Sequence, residues 1–409
     1  MEEWKTDKLS NLGITQTGST PKTTVKENFG SAIPFVKPAD FQPNGLIDYN
    51  NDGLSEKGLA ESRLVMQDSV LMVCIGATIG KVGYTSVNVT TNQQINSFTP
   101  HQGILTKYCY YAMLNDAFQK QVIYSSSQAT LPIINKSKWS SLEIKYPAEI
   151  KEQQLIVAIL DQAFADIEKA RANAEKNLKN ARELSMASIR ETFLSANNTE
   201  LLTIDELADV ITDYVANGSF AALAENVQYK SEKDYAILLR LVDHSKSYKN
   251  DFVYINQHAF TFLKKSVVVP NDIILSNVGA RLGTVFRAPD LGMPMSLGPN
   301  SILIKSTEYG DYLYCWLQSA YGQSEIKSIV SGAGQPKFNK TQFKKLFVPV
   351  PKSVSERAEI VERIESITQM LEHLESIYSR KLTALEELKK SLLQKAFSGE
   401  LTKTEGHAA

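Results

Sequence analysis

Two stretches of this chain place apolar residues in alternating steps of four and three for more than four heptads. Between about 355 and 398 they fall at Ile360, Ile364, Ile367, Leu371, Leu374, Tyr378, Leu385, Leu388 and Leu392, with a polar break at Lys381. Between about 152 and 194 they fall at Ile156, Leu160, Ala163, Ile167, Ala170, Ala174, Ala181 and Leu184, with the break at Asn177. This spacing predicts two long helices, each with one narrow apolar stripe. Neither stretch contains Pro, and Gly399 stands just past the second, where a helix stop belongs. Each helix of about 43 residues would run roughly 65 Å. Packing of each helix on its own globular domain is one reading. Pairing of the two is supported by size, because the first offers the small Ala170, Ala174 and Ala181 where the second offers the large Leu374, Tyr378 and Leu385, and small residues facing large ones fill a seam. Since the helices alternate with globular blocks, an antiparallel pair is the simplest closed arrangement. Asn177 and Lys381 would then help set its register.

The pattern changes in residues 1–150 and 198–351, which mix short β-rich runs with turn signals. The continuous apolar run Leu71–Ile75 predicts a buried strand. Residues 30–55, with Gly30, Pro34, Pro38, Pro43, Gly45 and then Asn50-Asn51-Asp52-Gly53, predict a loop-rich stretch. In the later block, strands are expected at Ala236–Val242, Ser266–Val269 and Ile273–Leu275.

These blocks repeat. Pro132-Ile133-Ile134-Asn135-Lys136 recurs about 204 residues on as Pro336-Lys337-Phe338-Asn339-Lys340, and the register holds without a gap from Phe193 back to Pro132 against Phe397 back to Pro336. Trp139, Leu142, Ile144, Pro147 and Ile156 recur as Phe343, Leu346, Val348, Pro351 and Ile360. A unit of this length is a duplicated domain plus helix, too long for a solenoid repeat. The fold expected is α+β: two similar globular domains separated by two long antiparallel coiled-coil helices, with a pseudo-two-fold internal repeat. The divisions read as 1–150, a central helix at 151–197, 198–351, a distal helix at 352–400 and a flexible tail at 401–409. Duplex DNA carrying two half-sites is one of the few targets that suit such an object.

Composition narrows the function. The 409 residues carry a formal net charge of −1, and the two globular blocks hold equal numbers of acidic and basic side chains. A DNA binder of this charge must gather its basic groups on one face or share phosphate contact with partners. Cys74, Cys109 and Cys315 have no metal-ligand spacing, and their odd number argues for buried free thiols in a reducing cytoplasm. The opening residues have no apolar signal region, and no run of 18 apolar residues predicts a membrane span.

Asp68-x-Val70-Leu71 followed by Gly76-Ala77-Thr78-Ile79-Gly80-Lys81-Val82 recurs as Asp272-x-Ile274-Leu275 followed by Gly279-Ala280-Arg281-Leu282-Gly283-Thr284-Val285. Glycines at 76, 80, 279 and 283 permit positive φ and close backbone approach. A tight hairpin turn explains them, as does a turn laid against a phosphate backbone with Thr78, Lys81 and Arg281 reaching outward. It is not a P-loop: the glycines are one residue too close, Val82 replaces the Mg²⁺-binding hydroxyl, and the copy has Thr284 in place of Lys. Asn92-Gln93-Gln94 and, in the copy, Gly298-Pro299-Asn300-Ser301 carry amides that can pair with adenine edges. Gln128 and Gln335 close the loops that precede the repeated Pro-x-x-Asn-Lys segment. Lys136 and Lys138 in one copy, and Lys337, Lys340, Lys344 and Lys345 in the other, form small basic patches suited to phosphate or simply to solvent. No Gly-x-Ser-x-Gly, His-Glu-x-x-His or Cys-x-x-Cys is present, and none of the five histidines has a counterpart in the other copy. Nor is there an Asn/Asp-Pro-Pro-Tyr/Phe segment, so the chain is not expected to methylate DNA itself.

Taken in order, these motifs resemble the specificity subunit of type I restriction–modification enzymes. The likeness lies in Leu12-Gly13, Thr17-Gly18-Ser19-Thr20-Pro21-Lys22, Ile33-Pro34-Phe35-Val36-Lys37-Pro38-Ala39-Asp40, the Gly76–Val82 turn and Asn92-Gln93-Gln94. It continues through Tyr146-Pro147 with Glu152-Gln153-Gln154-Leu155-Ile156, the counterpart Pro349-Val350-Pro351 with Glu356-Arg357-Ala358-Glu359-Ile360, and the end Leu393–Leu401. Arg357 stands where the family usually has Gln. Residues 204–235 lack the Gly-Ser-Thr-Pro-Lys segment, as expected if each domain reads a different half-site. The resemblance implies a non-catalytic subunit whose two target recognition domains contact a split, asymmetric duplex site. It implies that the helices set the gap and dock two modification subunits using S-adenosylmethionine, joined by restriction (motor–nuclease) subunits using ATP and Mg²⁺. It implies no cofactor or metal on this chain. A coiled-coil adaptor with no DNA-reading role is the alternative; salt-sensitive DNA affinity separates the two.

Overall fold

The protein is described from a computed structural model covering residues 4–127, 131–249, 251–332 and 334–402. The apolar run begins inside strand Ser69–Val73, every residue of which is buried, and its last two residues, Cys74 and Ile75, lie just beyond the strand's end. That strand is central in an antiparallel sheet with spatial order Gly13–Thr17, Ile95–Pro100, Ser69–Val73, Val82–Thr85. The second block builds the same sheet from Val210–Asp213, Ser301–Lys305, Ile273–Ser276 and Val285–Arg287. A further sheet is also duplicated. Gly53–Leu54, Phe29–Val36, Val89–Thr91 and Leu64–Val65 match Tyr254–Ile255, Ala236–Leu239, Met295–Leu297 and Val267–Val268, and in both the middle pair is parallel. A two-stranded ribbon completes each body, Trp4–Lys8 with Glu143–Pro147 and Thr199–Thr203 with Phe347–Pro351.

Two local readings are adjusted. Residues 37–52 are loop-rich as expected, broken by a single 3-10 turn at Pro38–Asp40, but the stretch before them belongs to the strand Phe29–Val36, which accommodates Gly30 and Pro34 through a register shift between Phe29 and Ile33. The strand expected to reach Val242 stops at Leu239. The buried Asp243 carboxylate accepts from the Arg240 backbone N–H at 2.8 Å and from its guanidinium at 2.7 Å, starting the short helix Leu241–Ser245.

The long helices are Ile150–Leu194 and Val354–Ser398. Two compact units divide the chain, one running to Glu175 and resuming at Tyr378, the other spanning Lys176–Ile377. The division cuts through both helices instead of falling at their ends, because each globular core takes in a piece of each helix. The first core buries Ile156 and Leu160 from the start of the central helix together with Leu393 and Ala396 from the end of the distal one. The second buries Ile360 and Ile364 from the start of the distal helix together with Phe193 from the end of the central one. Phe397 meets Tyr108 edge-on at 5.4 Å between centroids, and Phe193 meets Tyr312 at 5.6 Å, the same pair in each copy.

The helices pair antiparallel within each unit. In the first, Lys389 bonds Glu168 at 3.2 Å and Arg171 lies 3.7 Å from Glu386; in the second, Arg182 bonds Glu375 at 2.7 Å. Ile156, Leu160, Ile167, Ala174, Ile360 and Ile364 are buried, and Leu371 and Tyr378 half-buried. The stripe departs from expectation at its breaks. Leu178 and Leu382, one residue beyond Asn177 and Lys381, are half-buried, while Asn177 and Lys381 are exposed. From Ala174 the steps of four and three run on through Leu178, Ala181 and Ser185, so Leu184 falls off the stripe and is 69% exposed. Leu388 is likewise 47% exposed, its place taken by the half-buried Lys389, whose ammonium lies 4.8 Å from the Phe164 ring centroid. The polar breaks therefore lie on the solvent side and do not set register. Of the expected tail, Leu401 packs on the first core, and residues 403–409 lie outside the described residues.

Candidate nucleic-acid interface

In each body three segments meet at one backbone junction. In the first, Cys74 N–H donates to Gln94 O at 2.7 Å, Gly76 N–H to Pro132 O at 3.0 Å, and Ile134 N–H to Cys74 O at 2.9 Å. In the second, Asn277 N–H donates to Asn300 O at 3.2 Å, Gly279 N–H to Pro336 O at 2.8 Å, and Phe338 N–H to Asn277 O at 3.2 Å. The junction gathers the glycine turn, the amide loop and the Pro-x-x-Asn-Lys segment, which the sequence holds far apart.

The turn glycines adopt the left-handed conformations that favour them, with φ of 102°, 88°, 90° and 86° at Gly76, Gly80, Gly279 and Gly283. Gly80 N–H returns to Val73 O and Gly283 N–H to Ser276 O, both at 2.9 Å, which closes the hairpin and leaves its tip outside. Thr78, Lys81 and Arg281 are exposed at the tips. The Lys81 ammonium lies 5.9 Å from the Phe41 ring centroid, and Arg281 donates to Ser245 Oγ.

The amide loop of the first body is internally braced. Asn92 Nδ2 donates to Gln94 Oε1 at 2.9 Å, Gln94 N–H to Asn92 Oδ1 at 3.1 Å, and Thr20 Oγ to Gln93 Oε1 at 2.5 Å. The last bond joins the Thr17–Lys22 segment to the same surface. Asn300 is exposed with φ 67°, a conformation that Asn tolerates better than most residues. Lys136 and Lys138 sit on the helix Lys136–Ser140, capped by Asn135; Lys136 is exposed, and Lys138 Nζ donates to Ser125 O at 2.8 Å. In the second body Lys337 and Gln335 are exposed, but Lys340 pairs with Asp213 at 3.2 Å and Lys344 with Asp205 at 2.8 Å. Those two charges brace the body instead of being offered outward. Gln128 lies outside the described residues.

The sequence reading missed a pair of positioning residues. Gln119 Nε2 donates to Gly80 O at 3.0 Å and to Met113 O at 2.6 Å; Gln323 Nε2 donates to Gly283 O at 2.8 Å and to Leu317 O at 2.7 Å. Each glutamine ties a turn to the end of a core helix. The signal was available, since the two stand 204 residues apart like the rest of the repeat. A second pair fixes the helix entries: Gln153 Nε2 donates to Pro147 O at 3.1 Å and Arg357 Nη1 to Pro351 O at 3.0 Å. Arg357 thus reproduces the bond of the glutamine it replaces, and adds an ion pair with Glu308 at 2.8 Å.

Little else suggests chemistry. The three cysteines are free and buried, and burial pushes the Cys74 and Cys315 thiols up to about 12, far from a reactive thiolate. Among the described residues no cluster of three or more His, Cys, Asp or Glu is placed to hold a metal ion, and no helix is long and apolar enough to cross a membrane.

A family model described as the type I restriction modification DNA specificity domain matches residues 1–176 and again residues 213–380. The chain belongs to this specificity family. Its two matched segments are the two bodies that carry the duplicated junction. Among relatives, the specificity subunit of the type I restriction enzyme MjaIX of Methanocaldococcus jannaschii is 23% identical over 98% of this chain and 94% of its own length. That of HindI from Haemophilus influenzae is 30% identical over 42% of this chain and 38% of its own. The fold is shared with a chain from a study of complex assembly and conformational transition of the type I R-M system, at TM-score 0.78, 14% identity, and 97% and 98% coverage. It is shared also with the HsdS subunit from Thermoanaerobacter tengcongensis, at TM-score 0.61, 14% identity and 97% coverage of both. Membership in the specificity family favours the DNA-reading role over the adaptor.

Proposed function

We propose that this chain is the DNA-reading subunit of a type I restriction–modification enzyme. Each globular body reads one part of a bipartite, asymmetric duplex site. The helix pair sets the gap and docks two modification subunits, and restriction subunits complete the assembly. The chain itself performs no reaction and works in the cytoplasm. S-adenosylmethionine is held by the modification subunits, ATP and Mg²⁺ by the restriction subunits.

The observation that carries this reading is the junction built twice, in the two segments that match the specificity family. Each junction brings a turn with exposed polar tips beside an amide-bearing loop, three amides in the first and Asn300 in the second, and an exposed Lys, the mixture that phosphate positioning and base-edge reading require. The differences between copies, Lys81 against Thr284 and Gln94 against Asn300, suit two halves of unlike sequence. Near-neutral charge suits a reader whose partners share the phosphate contacts.

The test is binding by the chain assembled with its modification subunits to the duplex identified by methylation-site sequencing of an expressing host. Affinity should fall steeply and linearly on a log–log plot against salt, as released counterions demand. A flat salt response, or methylation at sites sharing no two-part sequence, would sink the reading.

A further inference from the structure

The two junctions share a backbone but not a surface. In the first, Ile133 bridges Ile75, and Ser127 N–H donates to Ile133 O at 3.0 Å. In the second, Lys337 bridges Val278, and Ser331 N–H donates to Lys337 O at 2.8 Å. Ile133 and Lys337 are therefore structural equivalents, and Leu131 and Gln335, two residues earlier, are equivalents with them. The first body exposes aliphatic side chains here: Leu131 is 52% exposed and Ile133 40%. Tyr124, at the end of the preceding helix, is 93% exposed where the copy has Ser328.

Exposed aliphatic side chains beside a polar reading surface are suited to apolar contact with whatever that surface binds. A Cβ placed on Gly76 would lie 3.9 Å from Leu131 Cδ1 and 4.0 Å from Gln94 Nε2, so Leu131 and the amide loop flank the same turn. The patch is continuous with the candidate DNA surface.

We infer that the first body reads its half-site partly by apolar contact, with Leu131 and Ile133 set against thymine methyl groups in the major groove. At the same place the second body uses Gln335 and Lys337, which act by hydrogen bonding and charge. Thymine alone presents a methyl group in the groove, so aliphatic contact discriminates A·T from G·C without any polar group. The inference rests on the DNA-reading role proposed above and adds the chemistry of one half.

The experiment uses the full chain with its modification subunits and its target duplex in unmethylated form. In paired duplexes, every thymine of one half-site at a time is replaced by deoxyuridine, which removes only the methyl. Uracil in the half read by the first body should weaken binding roughly fivefold or more, and uracil in the other half should not. Leu131→Ala/Ile133→Ala should abolish that difference and leave the salt slope unchanged. Leu131→Gln/Ile133→Lys, which copies the second body at exposed positions and leaves the core alone, should steepen the slope by about one. A first half-site without A·T pairs, an undiminished uracil penalty in the alanine variant, or lost modification-subunit binding with intact DNA preference would overturn the inference. The last outcome would reassign the patch to a protein partner. Absence of salt-sensitive binding in the unaltered complex would instead remove the DNA-reading role, and the inference with it.

Discussion

At the scale of single residues, the two glutamines that pin the turns make the sharpest prediction. Gln119 supplies two bonds to backbone carbonyls that otherwise face each other across the gap between turn and helix, and Gln323 does the same in the copy. Gln119→Ala should cost about 1–3 kcal/mol in denaturant unfolding, the usual penalty for stranding part-buried acceptors. Gln119→Glu should be at least as damaging, since a carboxylate would face two carbonyl oxygens. The functional readout separates positioning from mere stability: the Gln119 variants should weaken discrimination in one half-site and the Gln323 variants in the other. Equal losses in both halves from either glutamine would make them simple structural braces. The glycines and amides of this surface were legible because they form contiguous, repeated patterns. Gln119 was legible only as the repeat counterpart of Gln323 and not as the partner of the turn, because its bond spans 39 residues to Gly80 and leaves no local pattern. Lys340 misled for the opposite reason: a lysine at a helix start reads as free charge until Asp213 is found beside it.

At the scale of elements, the helix pair shows how a periodic pattern is read correctly in kind and wrongly in phase. Helix and length follow from the four-and-three spacing, and antiparallel pairing from the alternation of helices with globular blocks. The break does not, because a stripe followed through Ala181 to Leu184 skips Leu178, whereas the observed seam passes through Leu178 to Ser185. A 3.6-residue period does not divide a heptad evenly, so over 45 residues small phase errors move a position from seam to flank. The two phases predict different mutants. Leu178→Ala and Leu382→Ala should each destabilise by about 1–2 kcal/mol, less than for a fully buried leucine. Asn177→Ala and Leu184→Ala should fall within about 0.5 kcal/mol of zero, as solvent-facing changes do. Thermal or denaturant unfolding of the four variants decides it; a large loss from Asn177→Ala with none from Leu178→Ala would restore the polar break to the seam. The divergent start of the second domain was less readable, since its capped turn Thr203–Glu206 and its strand Val210–Asp213 share no motif with the first domain, yet they occupy the same places in the topology.

At the scale of the molecule, duplication makes the reading surface modular, and the ribbons show where the modules can be cut. Thr203 pairs with Phe347 at one end of the second ribbon, and Thr199 with Pro351 at the other, so the chain enters and leaves the second body through adjacent strands. Replacing residues 204–346 with the matching segment of another specificity chain would leave that ribbon, both helices and the whole first body in place. The segment's own core must still accept Phe193, Ile360 and Ile364, which reach into it from the helices. A donor with aromatic and aliphatic residues at the equivalents of Tyr312, Trp316 and Leu346 meets that condition. The hybrid should then methylate sites in which one half is new, the other half is unchanged and the gap is retained, because helix length is unchanged. The half that persists must be the one weakened by Gln119→Ala, a consistency that independent bodies require and an intertwined reader would violate. Methylation-site sequencing of the hybrid checks all three features together; a change in both halves would show that the two bodies do not read independently.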